Sequence, residues 1–414
     1  MAHTIQELQM KQAAPLEIKV KMTQQRIREW VNHWGEDGVY ISFSGGKDST
    51  VLLHIAREMY PGLKAMFVDT GLEYPEIREF VRTFDNVDIV RPKMNFRQVI
   101  EKYGYPFISK EVSECVYGTR KYLTQLLEMN TISQTDRQTL QRSQTITVTQ
   151  DLLEQANTQS QINPSRGGTI AGIVNSQELR NLIEGRPKGE GQRRQLAKLL
   201  GMLDEKGQIK AENIPSKDRS LFNQKRYKFF LEAPFEISSH CCRILKKNPA
   251  HIYAHKTGRK PITAQMAAES RLRTQMWIQN GCNGFDLNEP ISNPMSFWFE
   301  DDVLLYCYKH NIQLCSVYGD IVKETEVEGQ LDLEDLGIFD LGRPQLKTTG
   351  CERTGCVFCG YGAHLEKGEG RFARLKVTHP KLYDYLMRPL DKGGLNYKEV
   401  IDWINEHGGF DIRY

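Results

Sequence analysis

Residues 41–50 read ISFSGGKDST and form a glycine-rich turn between two apolar patterns. The run before the turn, residues 38–43, is short, aromatic and β-branched, which predicts a buried strand. After the turn, apolar residues recur at helical spacing up to Met59, so the glycines lie between a strand and a helix. The first N–H groups of such a helix attract an anion, and glycine lets that anion approach the backbone closely. The sequence therefore predicts a phosphate site at this turn.

The composition is that of a globular protein. The chain has 414 residues, of which 39% are hydrophobic and 26% charged, and its net charge is +3. This charge is too small to indicate a nucleic-acid-binding protein by itself. No apolar run is long enough to span a membrane, and the first residues lack the apolar core of a signal peptide, so we expect a cytoplasmic protein with no membrane partner. Nine cysteines in such a chain indicate thiols, metal ligands or catalysts rather than disulfides.

Strand patterns recur after the turn, at residues 63–68 and 87–90, with a helical pattern at 76–83 between them. Strands that alternate with helices at this spacing predict an α/β fold with a doubly wound, mostly parallel sheet and helices on both faces. Ligands of such sheets bind at the carboxyl ends of the strands. The glycine-rich turn and Asp69, which follows the second strand, should therefore share one edge.

The hexapeptide SGGKDS differs from a Walker A loop, which places four residues between its glycines. It resembles the PP-loop of ATP pyrophosphatases in the adenine nucleotide alpha-hydrolase superfamily. The segment DTGLEYPE at residues 69–76 resembles the DTG-x-x-x-P-E segment of phosphoadenylyl sulfate (PAPS) reductases. The resemblance implies an adenine nucleotide and Mg²⁺, with Lys47 and Asp48 as catalytic residues, Lys47 offsetting phosphate charge and Asp48 holding the metal. It implies nucleotide binding by Ser44, Gly45, Gly46, Lys47, Asp48, Ser49, Asp69, Thr70 and Gly71.

A second half of this core is expected after residue 222. Residues 269–273, ESRLR, resemble the E-S-x-x-R-like group that faces the nucleotide in PAPS reductases. Arg271, as a catalytic residue, and Arg273, as a nucleotide ligand, are candidate oxyanion clamps, because guanidinium binds phosphate or sulfate in a fork. The alternative is that Arg271 and Arg273 lie on a helix surface and pair with Glu269. Residues 296–303, SFWFEDDV, resemble the W-x-x-x-D-V helix start of the same family, with its tryptophan in the core.

The cysteines at positions 241, 242, 356 and 359 form a CC pair and a distant CxxC. Four thiolates from two loops suit an iron–sulfur cluster or zinc, and plain thiols are a third interpretation. The pattern resembles that of adenylyl sulfate (APS) reductases, which implies a [4Fe-4S] cluster held by Cys241, Cys242, Cys356 and Cys359. Cys351 is either an alternative ligand or a reactive thiol. The remaining cysteines, at positions 115, 282, 307 and 315, are expected to be buried small apolar residues.

Composition divides the chain into four predicted parts. Residues 1–122 form the first half of the nucleotide-binding core, beginning with an extended lead-in over 1–22, and residues 223–345 form the second half with the CC pair. Residues 123–222 are rich in Gln, Thr, Ser and Asn and are expected to be a polar, helical insertion. Residues 346–414 hold the CxxC segment and C-terminal helices. Five basic residues of the insertion have two interpretations, contact with a nucleic-acid phosphate backbone or a place on a solvated helix face: Arg186, Lys188, Arg193, Arg194 and Lys198.

Three functions are compatible with these residues. The first is a PP-loop enzyme with a [4Fe-4S] cluster that binds ATP, adenylylates a substrate with release of pyrophosphate, and supports sulfur transfer. Its partners would be a sulfur donor and a nucleic-acid substrate. The second is an APS or PAPS reductase that uses a thioredoxin-like reductant, although the family's C-terminal catalytic cysteine is missing because no cysteine follows Cys359. The third is a nucleotide-sensing protein without turnover.

Overall fold

A six-stranded sheet carries the glycine-rich turn. The computed structural model describes residues 3–131, 190–209, 220–323 and 345–414. The described strands are β1 (Val39–Ser42), β2 (Ala65–Val68), β3 (Val87–Val90), β4 (Phe107–Ile108), β5 (Lys260–Ile262), β6 (Asn283–Gly284), β7 (Ile291–Ser292), β8 (Ile321–Lys323), β9 (Leu346–Thr348) and β10 (Gly360–Tyr361). The order in the six-stranded sheet is β3-β2-β1-β5-β7-β6, and every neighbouring pair is parallel except β6 with β7. The predicted α/β fold with a mostly parallel sheet is confirmed.

The described chain divides into two compact units, residues 1–95 with 244–357 and residues 96–243 with 358–414. Helices of the first unit are α1 (Ile5–Gln12), α2 (Leu16–Trp34), α3 (Lys47–Met59), α4 (Pro75–Arg82), α8 (Asn248–Thr257), α9 (Arg271–Asn280) and α10 (Glu300–Lys309). Helices of the second are α5 (Phe96–Tyr103), α6 (Lys110–Thr131), α7 (Glu190–Leu200), α11 (Arg371–Thr378), α12 (Pro380–Met387) and α13 (Tyr397–Gly408). Short 3₁₀ segments cover Glu36–Gly38, Lys225–Glu232, Ala267–Glu269, Ser316–Tyr318 and Ala363–Leu365, and a π-helical segment covers Cys242–Lys247.

Alternate residues of the central strand face opposite layers of the first unit. Val39 and Ile41 belong to the main core, which also contains buried residues of α2, α3 and α10. Tyr40 and Met66 pack with Tyr253 of α8 in a second cluster. Both clusters are apolar, so the central strand is buried on both sides, as its continuous apolar sequence predicts.

The sheet reverses its winding beside β1. The chain proceeds from β1 to β2 and β3 in one direction, whereas β5 and β7 lie on the other side of β1. In doubly wound sheets the ligand crevice opens at this switch point, outside the carboxyl ends of the strands. The turn after β1 and the residues after β5 both border this point.

The N-terminal lead-in predicted to be extended is helical, so that prediction is wrong. Helix α2 already begins at Leu16, and its buried face includes Lys19 and Thr23. Lys19 pairs with Asp302 at 2.5 Å, and Thr23 donates to the carbonyl of Pro294 and accepts from the indole of Trp298. Because these partners are about 280 residues away in sequence, the buried face does not show a local apolar pattern.

Aromatic packing fixes the small parallel sheet of the second unit, formed by β4 and β10. The ring of Phe107 lies 5.1 Å from that of the buried Tyr397, and a Cβ at Gly360 would lie 2.5 Å from the Phe107 ring. The hydroxyl of Tyr397 donates to the carbonyl of Phe358 at 2.5 Å. The chain immediately around Cys359 is therefore held against an aromatic core.

The predicted four-part division of the chain stays a prediction. Residues 132–189 and 210–219 of the expected insertion lie outside the described residues, and so do Arg186 and Lys188. Of the basic cluster, Lys198 forms an ion pair with Glu111 at 2.9 Å.

Within the ranges that the structure describes, none of the helices combines the length and the apolar character needed to cross a membrane.

Two ion pairs that join α2 to α10 differ in burial and provide a matched test of stability. Lys19–Asp302 is fully buried, whereas Glu17–Lys309 is exposed. Lys19→Met should reduce the free energy of unfolding by about 3–5 kcal/mol, because it leaves a buried carboxylate without its cation. Lys309→Met should change it by at most about 1 kcal/mol. Urea denaturation measures both, and equal effects would contradict the account of α2.

Candidate functional site

The PP-loop, residues 44–49, has a fixed backbone. Gly45 has φ +71°, and a Cβ there would lie 2.9 Å from methyl groups of Ile77 and Val81, so no side chain fits. The hydroxyl of Ser49 donates to the carbonyl of Gly46 at 2.9 Å and accepts from the amide of Ser44 at 3.1 Å. These contacts shape the turn that leads into the first residues of α3.

Lys47 occupies the first position of α3 and is 3% exposed. Its ammonium donates to the carbonyl of Glu352 at 2.6 Å and pairs with the carboxylate of Glu300 at 2.7 Å. Its backbone amide donates to the hydroxyl of Tyr318 at 3.1 Å. A buried ammonium needs such partners, since its charge is otherwise strongly destabilised.

Glu300 joins Lys47 to a second cation. Its other carboxylate oxygen lies 2.9 Å from the guanidinium of Arg353. Burial raises the pKa of Glu300, but the hydrogen bonds from Lys47 and Arg353 outweigh this effect and lower it. Glu300 is therefore ionised at neutral pH and bridges two positive side chains.

Asp48, beside Lys47, has a buried carboxylate oxygen that finds no hydrogen-bond partner among the residues that the structure describes. Burial raises the pKa of Asp48, and the positive charge of Lys47 opposes this rise. A partly desolvated carboxylate oxygen of this kind is a ligand that Mg²⁺ prefers. The residue present therefore fits the metal that the PP-loop resemblance implies.

The two arginines after β5 that were predicted to bind an oxyanion lie in different environments. Arg273 is partly buried, forms an ion pair with Glu269, and interacts electrostatically with Asp48. Arg271 is exposed at the first position of α9. The structure thus brings Arg273 towards the PP-loop and leaves Arg271 at the surface.

The turn after β2 is stabilised by internal pairs. Both Arg78 and Arg91 donate to one carboxylate oxygen of Asp69, at 3.2 and 3.1 Å. The hydroxyl of Thr70 donates to Glu73 at 2.7 Å, and Gly71 has φ +74°. Asp69, Thr70 and Gly71 lie after the carboxyl end of β2, next to β1, as the sheet order requires.

The segment of residues 350–357 runs between the PP-loop and this turn. At one end, the carbonyl of Glu352 contacts Lys47, and the hydroxyl of Thr354 lies 2.5 Å from that of Tyr318. At the other end, the amide of Val357 donates to the carbonyl of Leu72 at 2.7 Å. The segment places Cys351 and Cys356 near the same edge of the sheet as the PP-loop; the sulfur of Cys351, for example, is 3.9 Å from the hydroxyl of Tyr74.

In the second unit, three of the predicted cysteine ligands lie near enough to Tyr361 to affect its pKa. Burial raises the pKa of Tyr361, and the nearby charges of Cys241, Cys242 and Cys359 raise it further. The Tyr361 hydroxyl donates to the carbonyl of Ser238 at 3.0 Å. The fourth predicted ligand, Cys356, belongs to the first unit. Thiols are the donors that an iron–sulfur cluster requires, so the residue types fit.

Among the described residues, no three His, Cys, Asp or Glu side chains are grouped in a way that could hold a metal ion.

The four remaining cysteines are buried, as the sequence predicts. Cys115 is 2% exposed, and its thiol lies 3.0 Å from the carbonyl of Gln195. Burial raises the pKa of the Cys115 thiol to about 12. Its thiolate is therefore scarce at neutral pH, which makes Cys115 a poor nucleophile.

Comparison with known proteins agrees with this geometry. Residues 38–139 match the family model of the phosphoadenosine phosphosulfate reductase domain. This region is a domain of that family, which belongs to the PP-loop adenine nucleotide alpha-hydrolase superfamily, and the predicted resemblance is confirmed. An uncharacterized protein of Methanocaldococcus jannaschii is 40% identical to this chain over 70 residues. The match covers 16% of this chain and 17% of that protein.

Several residues that lie around the PP-loop in the structure were not linked to it from the sequence. Glu300 lies inside the SFWFEDDV segment, where only the tryptophan and the helix start were considered. Arg353 lies between two cysteines and was not linked to the PP-loop. Tyr318 and Thr354 have no sequence signal, because their contacts with the PP-loop depend on tertiary structure alone.

Proposed function

We propose that this protein binds ATP at the PP-loop, adenylylates an oxygen of its substrate with release of pyrophosphate, and so prepares that position for sulfur. The family domain supports a nucleotide-utilising PP-loop enzyme. The proposal of adenylylation rests on one observation, the buried ammonium of Lys47 at the start of α3. Glu300 forms ion pairs with both this ammonium and the guanidinium of Arg353, so two cations lie beside the PP-loop. The proposal is further supported by the sheet order, because doubly wound sheets bind ligands outside the carboxyl ends of the strands at the switch point, and the PP-loop follows β1 beside that point.

The chemistry follows from charge. The substrate oxygen attacks the α-phosphorus of ATP, and the bond to the oxygen that bridges to the β-phosphate breaks as pyrophosphate leaves with the electron pair. Lys47 and the first amides of α3 stabilise the charge that develops on pyrophosphate. Asp48 would hold Mg²⁺, which when bound supplies further positive charge beside the phosphates. A sulfur nucleophile then displaces AMP from the activated position.

Alanine at Lys47 tests this proposal. Lys47→Ala should lower the rate of pyrophosphate release from ATP by at least about 100-fold, because one preorganised charge contact with the transition state is lost. Lys309→Ala removes a lysine from an exposed ion pair of the same unit and should leave the rate unchanged. Unchanged pyrophosphate release in Lys47→Ala would rule out the proposed role of the PP-loop.

We further propose that Cys241, Cys242, Cys356 and Cys359 hold a [4Fe-4S] cluster. The resemblance of the CC and CxxC pattern to that of APS reductases supports this assignment, and so does the electrostatic effect that three of these cysteines have on the pKa of the same residue, Tyr361. When bound, the cluster would supply iron that can carry sulfur or electrons. Together with nucleotide activation, this chemistry suits sulfur insertion into a nucleic acid, with a separate sulfur donor as the second partner.

Anaerobic reconstitution with iron and sulfide tests the cluster independently of activity. The wild-type chain should retain about four iron atoms and the characteristic absorption of a cluster. Alanine at any one of the four positions should lower the iron content, whereas Cys282→Ala, at a buried cysteine of the first unit, should not. Full iron content in all four variants would contradict the ligand assignment.

Reduction of APS or PAPS is the second candidate, and Cys351 is the observation in its favour. This cysteine is partly exposed and lies on the segment that also supplies Glu352 and Arg353 to the nucleotide site. In that reaction its thiolate would attack the sulfur of the sulfonucleotide, form an S–S bond and release the nucleotide. A thioredoxin-like reductant would then cleave this bond and release sulfite.

A further inference from the structure

The carboxylate of Glu300 contacts the same cationic side chains that would bind a phosphate. Its carboxylate lies 2.7 Å from the ammonium of Lys47 and 2.9 Å from the guanidinium of Arg353. Carboxylate and phosphate oxygens are recognised by the same charged N–H donors, in the same geometry. A phosphate group bound to these two cations and the carboxylate of Glu300 therefore exclude each other.

The side chain of Glu300 can rotate away from Lys47. Its side chain is 34% exposed, although that of its partner Lys47 is only 3% exposed. Glu300 is the first residue of α10, where the free amides of the helix and its dipole stabilise a negative charge in more than one rotamer. Turning outward would bring the carboxylate into water without breaking the helix. Arg353 is also at the surface, with 67% of its side chain exposed, so its guanidinium can follow an incoming anion.

Lys47 cannot lose its partner without a replacement. Because its ammonium is buried, its charge must be balanced by a nearby anion. A carboxylate and a phosphate can each provide this balance, but the phosphate carries more charge. Displacement of Glu300 by phosphate is therefore an exchange of one anion for another, and it does not leave an isolated buried charge.

We propose that Arg353 is a second phosphate-binding residue of the nucleotide site, and that Glu300 is a built-in competitor which holds Lys47 and Arg353 in position until the β- and γ-phosphates displace it. This inference rests on the proposed function, because it assumes that nucleotide phosphates bind at the PP-loop. It adds a clamp residue and a competing carboxylate, neither of which is part of the SGGKDS motif.

Substitution of Glu300 provides the test. Glu300→Gln retains an oxygen acceptor for Lys47 and leaves the neighbouring carboxylate of Asp48 to offset its charge, but it removes the competing charge of Glu300. It should tighten the binding of ATP and of inorganic pyrophosphate about tenfold, as expected when one charged hydrogen-bonded contact no longer has to be broken. Binding of AMP, which lacks the β- and γ-phosphates, should stay unchanged. Asp301→Asn removes the same charge from the same helical turn, at an exposed position, and should change none of these affinities.

Arg353→Gln should weaken the binding of ATP and pyrophosphate about tenfold without affecting AMP. Lys309→Gln, the matched loss of a surface cation, should have no effect. Isothermal titration of each variant with the three ligands, in the presence of Mg²⁺, measures these affinities. Unchanged or weaker binding of ATP to Glu300→Gln would overturn the competitor role, and unchanged binding of pyrophosphate to Arg353→Gln would overturn the clamp. Failure of the wild-type chain to bind ATP would instead refute the proposed function itself.

Discussion

The buried ammonium of Lys47 is the constraint on which the candidate site at the PP-loop depends. A lysine at the first turn of a helix is normally solvated, but this one is enclosed by Glu300, by the carbonyl of Glu352 and by the ring of Tyr318, whose centroid lies 5.6 Å from its nitrogen. Each of these groups comes from a different part of the chain after β7. The position of Lys47 therefore requires that α10, the 316–318 turn and the 350–357 segment all assemble on the PP-loop.

The order of the sheet makes this assembly possible. Since the winding reverses between β1 and β5, the segments that follow these two strands lie at the edge where doubly wound sheets bind ligands. The PP-loop follows β1, and Arg273, which interacts electrostatically with Asp48, follows β5. The 350–357 segment connects the same edge with the turn after β2, where its Val357 amide contacts Leu72. Cys351 and Cys356 are thus held at the PP-loop edge of the sheet by hydrogen bonds of this segment.

Much of the fold followed from local sequence pattern. The predicted strands at residues 38–43, 63–68 and 87–90 contain β1, β2 and β3. Strands β1 and β2 are buried and have the short, continuous apolar sequence of inner parallel strands, whereas β3 lies at the edge of the sheet and is only partly buried. The first part of helix α2 falls in the lead-in over residues 1–22 that was predicted to be extended, because two of its buried residues are Lys19 and Thr23, whose partners lie far away in sequence. A local pattern cannot show that a lysine is buried when its counter-ion is 283 residues away.

The candidate site shows the same limit. The PP-loop could be located because a glycine-rich strand-to-helix turn has a sequence signature, and Gly45 is indeed required by its positive φ and by the close approach of Ile77 and Val81. Glu300 and Arg353 could not be located, because an acidic residue at a helix start and an arginine between cysteines each have ordinary structural explanations. The sequence alone does not distinguish Arg271 from Arg273 as an oxyanion ligand. In the structure, Arg271 is exposed, whereas Arg273 interacts electrostatically with Asp48.

The most direct measurement is an anaerobic assay of the purified chain with ATP, APS and PAPS offered separately, in the presence of nucleic acid, and with pyrophosphate, AMP and sulfite all quantified. The account predicts pyrophosphate from ATP and no sulfite from either sulfonucleotide. Sulfite from APS or PAPS would contradict it and assign the protein to the reductases, with Cys351 as the first candidate nucleophile. Tight binding of ATP without any product would contradict it equally, and would indicate a nucleotide sensor.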